Sequence, residues 1–218
     1  MPVTDFHRMV ATIALEVAAD YGFALAGSNA LMAHGVIDRV TQDVDLFTPR
    51  EGGVEAAADA VEEALRQSGF EVERQDKAAG LSDIWDDMGK GMAEWIVSSP
   101  GGQEMQLQLA YFDRGNDPVL FEVGPVLSLE DVAGGKTAAL ASRVEPRDYA
   151  DVAALLGRFT PEQLIGFARK LDPGLEPYDF AAAGRRLDGL NLARRFEVAR
   201  FSREQIAWIR EQFRGWPR

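Results

Sequence analysis

FALAGSNALMAHGVIDRVTQDVDLF, residues 23 to 47, holds the signals around which the rest of the chain is organised. Its end, Asp43-Val44-Asp45-Leu46-Phe47, alternates acidic and apolar residues with the period of a half-buried strand, so both carboxylates belong on one face. Two carboxylates side by side repel unless positive charge lies between them, and divalent metal ions with oxygen ligands are the usual solution. Upstream, Phe23-Ala24-Leu25-Ala26 reads as a buried strand running into Gly27-Ser28, after which Asn29 to His34 form a short helix. Glycine lets backbone approach a phosphate closely, and the N–H groups at a helix start attract anions. The expectation is a phosphate cradle and a metal clamp on neighbouring strands.

Gly27-Ser28-Asn29-Ala30-Leu31, Gly35, Arg39, Thr41 and Asp43-Val44-Asp45-Leu46 together resemble the signature of nucleotidyltransferases with the DNA polymerase β-type palm. Within that superfamily the spacing is most similar to the AbiEii/AbiGii toxin family. A second block, Ser128-Leu129-Glu130-Asp131-Val132, Lys136, Ala139-Leu140, Arg143 and Arg147-Asp148-Tyr149-Ala150-Asp151, resembles that family's downstream helices. The resemblance implies an α+β fold. A polymerase β-like palm, a mixed sheet flanked by helices, is expected over residues 1–127, with a helical subdomain over 128–218.

Length and composition agree with that plan. A chain of 218 residues suffices for a well-buried core with a helical appendage. At 46% apolar and 27% charged residues, neither disorder nor a fibrous class needs considering. The absence of cysteine excludes disulfides and thiolate metal sites and suits a reducing cytoplasm. Met1 to Val10 does not read as a signal peptide, and no stretch approaches a membrane span. A cytoplasmic protein with no membrane partner is expected.

The net charge of −12 argues against a general nucleic-acid coat, because such proteins gain affinity by releasing counterions from phosphates. The charge is uneven, however. Residues 185 to 218 carry nine arginines against Asp188, Glu197, Glu204 and Glu211, leaving +5 there and −17 elsewhere. An arginine-rich end can guide RNA while the acidic body holds metal; a solvated helix face with ordinary ion pairs is the plainer alternative.

Along the chain, Thr4 to Tyr21 shows a helical stripe of Phe6, Met9, Val10, Ile13, Val17 and Tyr21, with Thr4 as its N-cap. Pro49 to Gly53 is a turn. Val54, Ala58, Val61 and Leu65 mark a second helix ending at Ser68-Gly69, and Phe70 to Glu73 alternates as a strand. Gln75 to Gly91, with Asp76, Asp83, Asp86, Asp87 and Trp85, has no clear period and reads as a loop. Ala93 to Ser98 and Gln103 to Phe112 are strands joined by Ser99-Pro100-Gly101-Gly102, and Val119 to Val123 adds an edge strand. Ser128 with Asp131 caps a helix through Ser142, Pro146 opens another containing Asp148 to Leu156, and Thr160-Pro161-Glu162-Gln163 opens a third. The last helix has Ser202 as cap and Ile206, Ile209 and Phe213 as its apolar face.

Asp43 and Asp45 suit a two-metal phosphoryl-transfer site, with Mg2+ as the expected ion and Mn2+ as a substitute. Gly27 and Ser28 would hold the triphosphate through backbone N–H groups and the Ser28 hydroxyl, although a plain strand-to-helix turn would use the same residues. The resemblance places Lys136 on the triphosphate as a catalytic cation, gives Arg39 to nucleotide binding, and has Asp148 orient the lysine or the acceptor. Arg147 needs no role beyond an ion pair. Gly134-Gly135-Lys136-Thr137 imitates the tail of a P-loop, but the first glycine of that motif and its preceding strand are missing. His7 and His34 lack partners at ligand spacing and read as structural or surface residues. Trp85, Trp95, Trp208 and Trp216 read as core or interface anchors rather than base-stacking platforms.

One departure stands out. The superfamily's third carboxylate normally lies on the strand corresponding to Met105 to Phe112, where this chain has Gln108. Glutamine is uncharged and a poor metal ligand. Asp113, Glu104 and Asp148 are the replacements the sequence offers, with Asp113 at the wrong parity for the Gln108 face. The resemblance implies an enzyme that transfers a nucleotidyl group from a nucleoside triphosphate to an RNA acceptor, a transfer RNA 3′ end, with a cognate antitoxin restraining it. Nucleotidylation of a protein or small-molecule hydroxyl is a second reading. A catalytically weak nucleotide-binding or interaction protein, prompted by Gln108, is a third.

Overall fold

The computed structural model describes residues 5–39, 41, 43–75 and 91–218. Thr4, the expected cap, and the acidic loop carrying Asp76, Asp83, Trp85, Asp86 and Asp87 lie outside them. The chain divides into two compact units, Met1–Ser128 and Leu129–Arg218.

In the first unit the order is α1 (Asp5–Ala18) with a 3-10 turn (Ala19–Tyr21), β1 (Ala24–Leu25), α2 (Gly27–Ala33), β2 (Asp43–Thr48) and α3 (Gly53–Gln67). Then come β3 (Glu71–Arg74), β4 (Met92–Ser98), β5 (Glu104–Tyr111), β6 (Val119–Phe121) and β7 (Gly124–Val126). The seven strands make one mixed sheet in the order β3-β4-β5-β2-β1-β7-β6. β2 runs parallel to β5 and antiparallel to β1, and β4 is antiparallel to both β3 and β5. This is the mixed, helix-flanked sheet that the resemblance implied.

Alternation decides the two faces. Val44, Leu46, Trp95, Val97, Leu107 and Leu109 are fully buried, on the side where α1 and α3 pack. Their strand neighbours Asp43, Asp45, Glu94, Gln106 and Gln108 fall on the opposite, more open face. β1 is short, but Phe23 to Ala26 are all buried, as a strand in mid-sheet requires.

One expectation needs correction. α1 does not bury the stripe through Met9, Ile13, Val17 and Tyr21. Its buried side is Phe6, His7, Val10, Ala11, Ala14, Leu15 and Ala18, and Met9 is 48% exposed. Both stripes share Phe6 and Val10; the side rich in small alanines is the one buried, and α1 packs on α3, whose own buried side carries Ala57 and Ala58. Val119 to Val123 holds the expected edge strand, β6 at the end of the sheet; it is one arm of a hairpin whose other arm, β7, pairs in parallel with β1 at Leu25 and Val126. β7 carries Gly124 and Pro125, residues that weaken a strand signal in the sequence.

The second unit is all helical: α4 (Leu129–Arg143), α5 (Pro146–Leu155), α6 (Pro161–Leu171), α7 (Pro177–Leu187), α8 (Leu190–Val198) and α9 (Arg203–Gln212). Thr160 and Ser202 cap their helices as anticipated, each hydroxyl accepting from the N–H three residues on. Proline at the first helical position starts α5, α6 and α7. The core is aromatic: Tyr149, Phe196, Phe213 and Trp216 stack at tilted angles, and the buried Tyr149 hydroxyl donates to Ala183 O at 2.7 Å. Trp95 and Trp216 are core residues as expected, whereas Trp208 is exposed. Gly134 to Thr137 lie inside α4, so no phosphate loop forms there.

Candidate active site

β1 hydrogen-bonds to β2 through Ala24 opposite Phe47 and Leu25 opposite Leu46. Ala26 N then donates to Asp45 O at 2.8 Å, so the chain leaves the sheet directly beside Asp45. The next residue, Gly27, takes φ +59°. A side chain there would overlap the Asp45 carboxylate, so only glycine brings this backbone against that acid.

α2 begins at once. The Ser28 hydroxyl accepts from Arg39 Nη2 at 3.1 Å, which sets a guanidinium beside the turn. Asn29 is buried; its Nδ2 donates to Asp43 O at 2.6 Å and its Oδ1 accepts from Thr41 Oγ1 at 3.0 Å. The start of β2 is thereby pinned to α2. Gly27, Ser28, Arg39, Asp43 and Asp45 thus gather in one corner of the first unit. Asn29 and Thr41 were part of the recognised pattern without an assigned task, and the structure gives them one: they hold the backbone that carries Asp43.

His7 lies close by. Burial holds its imidazole below the ordinary value, while the Asp43 charge and the backbone at Thr41 pull the other way. His34 is structural, its Nε2 2.8 Å from Leu127 O and its ring edge-on to Phe121.

Two strand carboxylates with a glycine turn pressed on one of them are hard oxygen donors, the kind that suit Mg2+ or Mn2+. Among the described residues no three His, Cys, Asp or Glu side chains cluster to hold an ion. Two carboxylates alone would leave the other ligand positions to waters and substrate phosphates, an arrangement that Mg2+ accepts. Gln108 stands beside Asp45 in the β2–β5 register. Asp113 follows β5 and takes a hydrogen bond from the Tyr111 hydroxyl at 2.8 Å; Glu104 is exposed at the far end of the same strand.

Lys136 and Asp148 belong to the second unit. Lys136, on α4, places Nζ 2.9 Å from Asp151 Oδ2. Asp148 does not meet the lysine. Its carboxylate accepts from Arg143 Nε at 3.0 Å and Nη2 at 2.7 Å, and from the Glu145 N–H at 3.1 Å, closing the start of α5. That pairing raises the Arg143 guanidinium further above its ordinary range. Asp151, one turn further along α5, is the acid that steadies Lys136. The signal was present in the sequence, since Asp148 and Asp151 are three apart and share a helix face.

The model of the family described as nucleotidyl transferase AbiEii toxin, type IV toxin–antitoxin system, matches residues 9–207. No curated protein matches the sequence significantly. Solved structures of similar fold include JHP933 from Helicobacter pylori, with a TM-score of 0.61 at 14% identity over 96% of this chain and 91% of that one. Another is MenT4, a nucleotidyltransferase toxin from Mycobacterium tuberculosis H37Rv, with a TM-score of 0.60 at 13% identity over 96% and 82% of the two chains. At such identity these structures speak for the fold, and the family match speaks for the activity. The chain belongs to the AbiEii family of nucleotidyltransferase toxins of type IV toxin–antitoxin systems.

Proposed function

We propose that this nucleotidyltransferase moves a nucleotidyl group from a nucleoside triphosphate to the 3′ hydroxyl of an RNA, a transfer RNA, with Mg2+ held by Asp43 and Asp45. The observation that supports the reading is the contact of the Gly27 turn with the Asp45 carboxylate, because it brings the backbone at a helix start against the acid proposed to hold the metal. A divalent ion bound there supplies charge neutralisation of the phosphates and lowers the barrier to attack by the acceptor oxygen. Gly27 and Ser28 offer backbone N–H groups and a hydroxyl to the triphosphate, and Arg39 steadies that hydroxyl and adds positive charge. Asn29 and Thr41 fix the Asp43 backbone. Lys136, held by Asp151 within its own unit, is the cation that the family resemblance assigns to the triphosphate. In the transfer the acceptor oxygen bonds to the α-phosphorus, the bond to the β-phosphate oxygen breaks, pyrophosphate leaves, and the hydroxyl proton passes to solvent.

An RNA acceptor is supported by the arginines of the last helices. Arg185, Arg186, Arg194, Arg203 and Arg210 are exposed and form no ion pair among the described residues, whereas Arg195, Arg214 and Arg218 pair with Glu145, Glu211 and Asp188. The plainer ion-pair reading thus accounts for only part of the stripe. A cognate antitoxin is the partner the family calls for, and a cysteine-free chain suits the cytoplasm. No helix among the described residues is long and apolar enough to cross a membrane.

The test is incubation with each of four α-labelled nucleoside triphosphates, Mg2+ and total RNA, with Asp43→Ala as control. A labelled band of transfer-RNA size, lost in the variant, supports the proposal. Label on protein or on a small molecule moves the acceptor to that class. Nucleotide bound without any transfer makes Gln108 the mark of a weakened enzyme.

A further inference from the structure

Glu94, Gln108 and Asp45 form one row across three strands. Gln108 is opposite Glu94 in the β4–β5 register and opposite Asp45 in the β2–β5 register, and all three lie on the open face. Gln108 Nε2 donates to Glu94 Oε1 at 2.8 Å and approaches Met92 Sδ at 2.8 Å. An ionised carboxylate only accepts, so the amide end turned to Glu94 has to be the NH2. The carbonyl end, Oε1, takes no hydrogen bond from any described residue. With the NH2 committed to β4, that oxygen is what remains for the Asp45 side of the row.

We propose that Gln108 is the third oxygen donor of the site, acting through Oε1 on the divalent ion at Asp45, and that Glu94 is the positioning residue that fixes the amide this way round. The inference rests on the reading of Asp43 and Asp45 as the metal site. It turns the missing carboxylate into a displacement of charge by one strand. A carboxylate at 108 would stand directly between Asp45 and Glu94, and like charges opposite one another in a sheet repel. A glutamine avoids this, gives a neutral oxygen next to Asp45, and leaves the third negative charge on β4, where it polarises the amide. None of Asp113, Glu104 or Asp148 is then needed as a substitute.

The experiment measures Mn2+ affinity by electron paramagnetic resonance, alongside label transfer, on the full chain carrying Asp45→Ala, Glu94→Gln, Gln108→Ala or Glu94→Gln/Gln108→Ala, each checked for its native circular dichroism. Gln108→Ala and Glu94→Gln are each expected to weaken Mn2+ binding about tenfold, as loss of a ligand's support does, and to lower kcat more than they raise KM for the triphosphate. The double variant is expected to be no weaker than Gln108→Ala, because Glu94 acts only through that amide. Rescue gives a second check: Gln108→Glu in the Glu94→Gln background should recover Mn2+ affinity. Mn2+ binding lost in Asp45→Ala but untouched in Gln108→Ala overturns the inference and leaves the metal reading standing. Additive losses in the double variant overturn the positioning role of Glu94. Mn2+ binding unchanged by Asp45→Ala, with no transfer by the wild type, removes the metal reading and this inference with it.

Discussion

Gly27 meets the Asp45 carboxylate so closely that a methyl group on its Cα would occupy the space of a carboxylate oxygen. The same residue sits at φ +59°, a conformation that costs an L-residue about 1–2 kcal/mol. Gly27→Ala therefore carries two penalties, one in the backbone and one in the site. A drop of about 1–2 kcal/mol in unfolding free energy is expected, together with about a hundredfold loss of transfer, since displacement of a reacting group by an ångström costs that much. Urea unfolding and label transfer on the same preparation check both. Full activity in the alanine variant removes the cradle from the mechanism.

Asn29 connects the helix after the cradle to the acid strand through Asp43 O at 2.6 Å and Thr41 Oγ1 at 3.0 Å. Truncation to alanine removes the shorter of two side-chain hydrogen bonds to the half-buried Asp43 carbonyl, Thr41 Oγ1 at 3.3 Å being the other, and is expected to cost about 1 kcal/mol. Thr41→Val, which removes only the hydroxyl, should cost less. If Asn29→Ala unfolds at the wild-type denaturant concentration, the side chain holds nothing that matters.

The strand carrying Asp43 and Asp45, the turn at Gly27 and the β4–β5 hairpin were legible because each rests on a local signal: period two, a glycine at a strand end, a Pro-Gly-Gly turn. Two things were not. The buried side of α1 depends on which of two overlapping stripes meets α3, a tertiary choice in which alanines outweighed Met9 and Ile13. The partner of Lys136 depends on how α5 meets α4, and the first acid of the Arg147-Asp148-Tyr149-Ala150-Asp151 run was already committed to its own helix start. Glu94 was recoverable in principle. Closing the hairpin with Ser98 opposite Glu104 and counting back puts Glu94 opposite Gln108.

The Lys136–Asp151 pair at 2.9 Å is shielded, with the side chains 15% and 2% exposed. Arg214–Glu211 is different, with side chains 77% and 51% exposed. Removing one partner of a buried pair strands a charge and costs about 3–5 kcal/mol, while an exposed pair contributes about 1 kcal/mol or less. Asp151→Ala is thus expected to destabilise far more than Arg214→Ala, and, on the role proposed for Lys136, the more conservative Asp151→Asn should reduce transfer before it unfolds the second unit. Equal unfolding midpoints for Asp151→Ala and Arg214→Ala would show that the lysine pair is solvated.

Gly134 sits inside α4, where helix propensity alone favours alanine by about 1 kcal/mol. Packing opposes it. A Cβ at Gly134 would lie 2.9 Å from the Phe167 carbonyl oxygen and 2.8 Å from Leu171 Cδ1, both on α6. The leucine end can swing away, but the carbonyl belongs to helix backbone and cannot. Overpacking of this kind costs about 1–3 kcal/mol, so Gly134→Ala should lower the melting temperature despite the gain in propensity. A higher melting temperature would mean that α6 is free to slide.

His7 offers a dependence on pH whose sign is fixed. Burial depresses its folded-state value from the ordinary 6.5, so between the two values the unfolded chain binds more protons than the folded one. Stability contributed by the neutral imidazole is complete above about 6.5 and falls as pH drops below it. The Asp43 charge opposes that depression, so Asp43→Asn, which removes the charge, should deepen it and steepen the acid loss. Substitution of His7 by glutamine removes the titrating group while keeping a polar side chain. Unfolding midpoints measured at about pH 8 and about pH 5.5 should therefore differ most in Asp43→Asn, less in the wild type, and least in His7→Gln. Carboxylates elsewhere contribute equally to the wild type and His7→Gln and drop out of the comparison between them. An identical pH slope in those two proteins would place the proton uptake on other groups and leave His7 a purely packing residue behind the acid strand.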